Sequence, residues 1–290
     1  METLLQHLVN GLMLGGTYAL LGIGLTLVFG IMNVVNFAHG EFYAAGAFGT
    51  YALLVKAGLP FYPSLAGAVV GGVVLGALVE RTVLRPLRAE SIETTMLVMI
   101  GLWILMQNLE LAIWGGIPQS IPNPFSPFPI EVGPILLQPI YVFVFLSAAA
   151  TIVLVHLGLA HTRWGCAMRA TFMDRRTAAL MGIPVDRVYT ITFALGAGLS
   201  AAAGALLGPV FVVYPSMGDL ASLKAFSVVI MGGLGNVAGA TAAGLTLGVA
   251  ESLGAGYVSS AYKDAVGFLM IILVLLVRPE GLFGRAGRIG

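Results

Sequence analysis

The chain has 290 residues, 58% of them hydrophobic and only 9% charged, with a net charge of +1. A soluble domain is about half apolar and a quarter charged, so this composition excludes an ordinary soluble protein and points to the membrane class. The balanced charge excludes a general field for nucleic acid or acidic substrates, and the single Cys166 excludes an internal disulfide or a Cys-based zinc cluster.

Glu2 precedes the first apolar stretch with no early Lys or Arg, so a basic signal-peptide n-region is lacking. Leu8 to Ile31 is long enough to span a bilayer and is expected to be retained as a transmembrane helix. Its Gly11/Gly15 pair reads as ordinary close helix packing. Asn33, Asn36, His39 and Glu41 follow within the apolar stretch Ile31 to Leu54. Two readings are open. His39-Gly40-Glu41 is a helix break lining a cavity at membrane depth, or it is an interfacial loop between two helices. His39 and Glu41 alone do not make a metal site.

Ser64 to Val79 is another span, and Arg81, Arg85 and Arg88 around Pro86 mark a cytoplasmic loop. Thr94 to Ile113 crosses back, with Glu110 and Trp114 expected near the far interface. Gly115 to Pro139 has no Lys or Arg and six prolines from Pro118 to Pro134, which predicts an irregular, polyproline-prone loop on the non-cytoplasmic side. Ile140 to Leu157 crosses inward.

His161 to Arg187 is the longest polar interruption, with five arginines and Asp174 and Asp186. Around Arg169, Ala170, Asp174, Ala178, Ala179 and Met181 it predicts one or two short helices at the membrane surface, stopped by Gly182 and Pro184. A solvated loop that only sets topology would not need the apolar run Ala178 to Ile183. The stretch therefore reads as a docking element for a cytoplasmic partner.

Val188 to Val213 crosses out. Leu223 to Gly254 is too long for one span, and Gly232-Gly233-Leu234-Gly235-Asn236 breaks it. If the segment enters and returns, Arg278, Arg285 and Arg288 fall on the cytoplasmic side, so charge favours a re-entrant or paired-half-helix element. With 31–54 it suggests two structural repeats. The expected fold is an all-α polytopic membrane protein, one permease domain over 1–290. It has about eight membrane segments, some broken or re-entrant, and a coupling loop at 161–187.

The chain has no GxxxxGK[ST] phosphate loop, no HExxH and no GxSxG, so ATP binding or hydrolysis by the chain itself has no sequence support. Glu41, Glu110 and Glu251 are too few to argue an ion-driven relay. A translocation protein of this kind is expected to borrow its energy through the docking element. A stand-alone channel would leave that element without a task.

Four stretches resemble one family: Asn33–Phe48, Arg169–Gly208, Val229–Gly244 and Val277–Arg285. They are similar to the shorter, LivH-type permease of bacterial branched-chain amino-acid ABC importers. The resemblance implies a multi-pass subunit of the bacterial inner membrane that is not itself an enzyme and needs no cofactor, ATP being bound by its partners. Those partners would be a second, LivM-type permease, two cytoplasmic ATPases and a periplasmic binding protein that delivers leucine, isoleucine or valine. It places Ala170, Asp174, Ala178, Ala179, Met181 and Gly182 in the ATPase-coupling loop. It sets Asn36, His39 and Glu41, with Gly232, Gly233, Gly235 and Asn236, near the pathway. Related permeases move urea, short amides or aromatic acids, which leaves the solute open.

Overall fold

A computed structural model describes residues 2–133, 135–259, 262–278 and 281–283. The chain is almost wholly helical. The helices are α1 (Glu2–Met32), α2 (His39–Tyr51), α3 (Phe61–Val79), α4 (Ile92–Trp114), α5 (Pro139–His161), α6 (Arg163–Met173), α7 (Arg175–Leu180), α8 (Val185–Leu207), α9 (Met217–Gly232), α10 (Val237–Tyr257) and α11 (Lys263–Val277). Five of them (α1, α3, α4, α5 and α8) are long and apolar enough to cross a membrane. The pair α9–α10, apolar enough when taken together, is bent by 119° across its break and forms a re-entrant element. With the shorter apolar helices α2 and α11 these elements make up the polytopic, all-α fold that was expected.

The Pro-rich stretch departs from expectation in one respect. It ends in a two-stranded hairpin, β1 (Ile130–Val132) against β2 (Ile135–Leu137). Gln6 of α1 anchors it, its amide donating to the Leu136 carbonyl (2.9 Å) and accepting from the Leu136 N–H (2.8 Å).

Every arginine among the described residues lies at one face. Arg85 and Arg88 pair with Asp186, and Arg88 also with Glu80, tying the end of α3 to the start of α8. Leu282 N–H donates to the Met231 carbonyl at 2.8 Å, bringing the end of α11 and Arg278 to the same face. The positive-inside rule makes this the cytoplasmic face. The outer face holds Tyr51 bonded to Gln119 (2.9 Å), the Gln119–Val213 bridge and Trp114 stacked on Phe48. The N-terminal end of α1 lies there too, beside the hairpin. The entering-and-returning path expected of 223–254 is observed. Arg285 and Arg288 lie outside the described residues.

Helices α1 and α8 run through the interior of the bundle, and α4 and α5 lie largely on its outside. Backbones approach closely where small residues face each other. Gly11 and Gly15 of α1 lie against Gly248 and Gly244 of α10, as their spacing suggested. Gly72 and Gly76 of α3 meet Ala201 and Ala197 of α8 in the corresponding way. Thus α1 packs along α10 as α3 packs along α8. Units α1–α2–α3 and α8–α9–α10 are related by this packing, and they run in opposite directions because α1 ends, and α8 begins, at the basic face. In this repeat α2 corresponds to α9. The break at 233–236 therefore corresponds to the turn between α2 and α3.

Candidate translocation and coupling sites

Helix α1 stops at Asn33, whose left-handed backbone (φ 55°) is one that Asn tolerates. The chain then runs without helix to Ala38, helped by the β-branched pair Val34-Val35. This segment climbs back into the bundle. The His39 Nε2 donates to the Leu21 carbonyl (3.0 Å), and Ser200 Oγ donates to the His39 carbonyl (2.8 Å). Leu21 lies 11 residues before the end of α1, or about 16 Å at 1.5 Å per residue. Six extended residues reach up to about 20 Å, enough for that return. His39 therefore sits near the middle of a hydrocarbon layer about 30 Å thick.

This decides between the two readings of His39-Gly40-Glu41. They are at membrane depth, fully buried, and Asn36 is buried beside them. The break itself is the segment 33–38, and His39 opens helix α2, which runs outward from the centre. Helix α9 opens at the same depth and runs inward. Gly40 and Gly218 lie backbone to backbone, and Ser222 Oγ accepts from the Gly40 N–H (2.9 Å), capping α2. Two half-helices thus meet N-terminus to N-terminus, each with an acid in its first turn, Glu41 and Asp219. Asp219 was not singled out in the sequence. The signal was there as a repeated Gly-acid pair, Gly40-Glu41 and Gly218-Asp219.

Glu110 lies one turn before Trp114, toward the outer end of α4 as expected, but it is packed inside the protein, 7% exposed. Glu251 is fully buried in an ionic cluster with Lys224, which also reaches Asp264 at 2.7 Å, while Tyr18 donates to Glu251 at 2.9 Å.

Gly232, Gly233, Gly235 and Asn236 lie apart from His39 and Glu41, at the basic face. Gly233 and Gly235 have positive φ (88° and 79°), which explains two glycines in this turn. Asn236 caps α10, its Oδ1 accepting from the Gly239 N–H at 3.0 Å. The Phe172 ring lies over this turn and over Gly30 at the end of α1, so closely that a Cβ on Gly235 would meet it at 2.8 Å.

Phe172 belongs to the polar stretch 161–187, which forms two short helices as expected, α6 and α7. Thr162 caps α6 (3.0 Å to the Gly165 N–H) and Asp174 caps α7 (2.8 Å to the Arg176 N–H). The Thr177 hydroxyl (2.6 Å) and the backbone N–H groups hold the Asp174 carboxyl below its ordinary range. Gly182 ends the element with φ 81°. Arg169, Ala179, Met181 and Gly182 are exposed, Ala170 is half-buried, and Ala178 faces inward at 4% exposure. The outward ridge is Met173, Leu180 (87% exposed) and Met181 (78%). Behind it, a cavity of about 610 Å³ runs between Phe29–Val35, Leu84–Glu90 and Thr171–Arg175.

The family described as "Branched-chain amino acid transport system / permease component" matches residues 7–275. The chain belongs to this family. It is 36% identical to the high-affinity branched-chain amino acid transport system permease protein LivH of Escherichia coli K12, over 97% of this chain and 96% of that one. It is 27% identical to the LivM permease of the same system and organism, over 91% of this chain and 67% of that one. The solved structure of PsaBC from Streptococcus pneumoniae, in complex with Fab, shares the fold with a TM-score of 0.52 at 15% identity, covering 97% of this chain and 93% of that one. The chain is a multi-pass membrane permease, and its relatives are permease subunits and not enzymes.

Proposed function

We propose that this permease works beside a LivM-type permease in the bacterial inner membrane and imports leucine, isoleucine and valine. Two cytoplasmic ATPases supply the energy, and a periplasmic binding protein delivers the solute. ATP is bound by those partners, and the permease needs no cofactor of its own.

One observation carries this reading. The exposed ridge Met173–Leu180–Met181 stands on a helix pair whose Phe172 lies against both the end of α1 and the α9–α10 turn. A partner that moves the ridge moves the two helices leading into the central break. The coupling residues thus divide by task. Leu180, Met181 and Ala179 meet the ATPase, Asp174 and Gly182 shape the helix that carries them, Arg169 and Ala170 lie on α6, and Ala178 packs the pair onto the bundle.

Asn36, His39 and Glu41 lie beside the pathway at mid-membrane, and Gly232 to Asn236 serve as the flexible joint between coupling loop and α9. Two states must differ in their contacts for hydrolysis to drive transport, and the tight Gly40–Gly218 approach is the contact that opens.

Tagged protein is purified from native membranes. Co-purification of a second permease and two ATPases, with hydrolysis stimulated by an amino-acid-loaded binding protein, is expected. A chain that purifies alone and passes solute in liposomes without ATP would overturn the reading.

A further inference from the structure

We propose that the cytoplasmic end of α3 and the start of α8 hold an anionic phospholipid of the inner leaflet, its phosphate among Arg81, Arg85 and Arg187 and its acyl chains along the outward face of α3. The proposal goes beyond the importer reading and needs only the chain's orientation in the membrane.

A cavity of about 650 Å³ lies where α3 ends and α8 begins, lined by Arg81, Arg85, Asp186, Arg187 and Thr190. The local fold sorts its charges. Helix α3 continues through a wider turn over Glu80–Leu84, in which the Arg85 N–H donates to the Glu80 carbonyl at 2.7 Å. Glu80 turns inward, fully buried, and accepts from Arg88 and from the Thr190 hydroxyl (2.6 Å). Arg81 and Arg85 stay on the outside. Asp186 is shared by Arg85 and Arg88. Among the described residues no carboxylate pairs with Arg81 or Arg187. Four guanidinium groups thus answer two carboxylates, and the excess positive charge belongs to the cavity wall.

Apolar surface runs from these charges into the membrane. Gly72 and Gly76 turn one face of α3 to α8. On the opposite face Val70, Val74 and Leu78 stand four residues apart, each more than half exposed, and the stripe ends at Arg81 and Arg85. Val70 to Arg81 is 11 residues, or about 16 Å along the helix. That is close to half of a hydrocarbon layer about 30 Å thick, so the acyl chains of one leaflet cover the stripe when the phosphate is at the arginines. Arginines that only set topology need neither a cavity nor a matched stripe. Basic pockets between membrane helices on this side suit phosphate headgroups, and planar guanidinium groups match phosphate oxygens. A free phosphate would use the arginines and leave the stripe bare. Ala179 of α7 also lines the cavity, so the headgroup would touch the helix that carries the exposed ridge.

The test uses the transporter purified from native membranes, with the subunits that accompany it, in an uncharged detergent. Thermal unfolding is followed as dioleoylphosphatidylglycerol, dioleoylphosphatidylcholine or inorganic phosphate is added. The anionic lipid is expected to raise the unfolding temperature, and the zwitterionic lipid and the phosphate to leave it unchanged. Arg81→Gln with Arg187→Gln should raise the lipid concentration needed for half the effect by about tenfold or more, the scale of two lost attractions between arginine and headgroup. Either single Gln variant should shift it in the same direction by less, and Arg81→Lys with Arg187→Lys should keep most of the effect. Arg163→Gln with Arg176→Gln, an equal loss of charge on α6 and α7, should titrate as the wild type. An equal effect of the two lipids, an effect of phosphate alone, an equal loss in the α6–α7 variant, or an unchanged titration in the Arg81 and Arg187 Gln variants would overturn the site. The readout is lipid binding and not transport, so the result does not depend on which solute is carried.

Discussion

Gly40 at the start of α2 and Gly218 at the start of α9 face each other across the centre of the bundle with no room for a side chain between them. A Cβ on Gly40 would overlap the Gly218 carbonyl, so Gly40→Ala must push the two half-helices apart. Overpacking of this kind costs about 1–3 kcal/mol, which should appear as a lower unfolding temperature in detergent. Gly71→Ala and Gly101→Ala, where a Cβ meets nothing within 4 Å, should leave it unchanged.

Lys224→Met should be among the most damaging single changes inside the bundle. It strands the fully buried Glu251 with Tyr18 as its remaining bonded partner. Breaking a buried pair from one side costs about 3–5 kcal/mol. Lys224→Met combined with Glu251→Gln removes the uncompensated charge, so the double variant should recover part of the loss. Thermal unfolding of the four proteins gives the coupling between the two residues.

Leu180→Asp with Met181→Asp places charge on the exposed ridge without touching the core. The protein should insert and fold normally, while stimulation of the ATPases by loaded binding protein falls by about tenfold or more, as expected for loss of central interface anchors. Phe172→Ala should separate the two activities differently. The ATPases should still dock and hydrolyse, and solute moved per ATP should drop. Co-purification and uptake assays check both variants.

Asp174 should make α7 acid-sensitive. Its folded pKa lies below the ordinary value of 3.8 because the ionised form accepts from Thr177 and the Arg176 N–H. The stabilisation it gives α7 is therefore complete above that value and is lost as the pH falls through the lower folded pKa. Amide exchange at 175–180, corrected for intrinsic rates, should stay protected at neutral pH and lose protection only in that acid window. Asp174→Asn should make the protection independent of pH there.

The spans, the basic face and the two short helices α6 and α7 were legible in the sequence because each rests on a local signal. Apolar length marks α3, α4, α5 and α8, arginine marks the cytoplasmic loops, and Gly182 with Pro184 marks the end of α7. The Gly232–Asn236 break was legible for the same reason. Its place beside Phe172 was not, since that depends on how α6 folds back under α1. The depth of His39 was undecidable from hydropathy, because a returning segment and an interfacial loop have the same composition. The burial of Glu110 and Glu251 inside the protein was not legible either, and for Glu251 it is Lys224 and Tyr18, on other helices, that satisfy it there. Ala178 shows the limit at single-residue scale. The run Ala178 to Met181 announces an apolar surface, but the register of α7 turns Ala178 inward and Leu180 and Met181 outward.

The most direct test of the importer account is uptake of labelled leucine into liposomes holding this permease, its second permease and the two ATPases, with the leucine-loaded binding protein outside them and ATP inside. The account predicts accumulation that requires the loaded binding protein and stops when the ATPases carry a hydrolysis-blocking substitution. Equal uptake with the blocked ATPases, or without the binding protein, would contradict it.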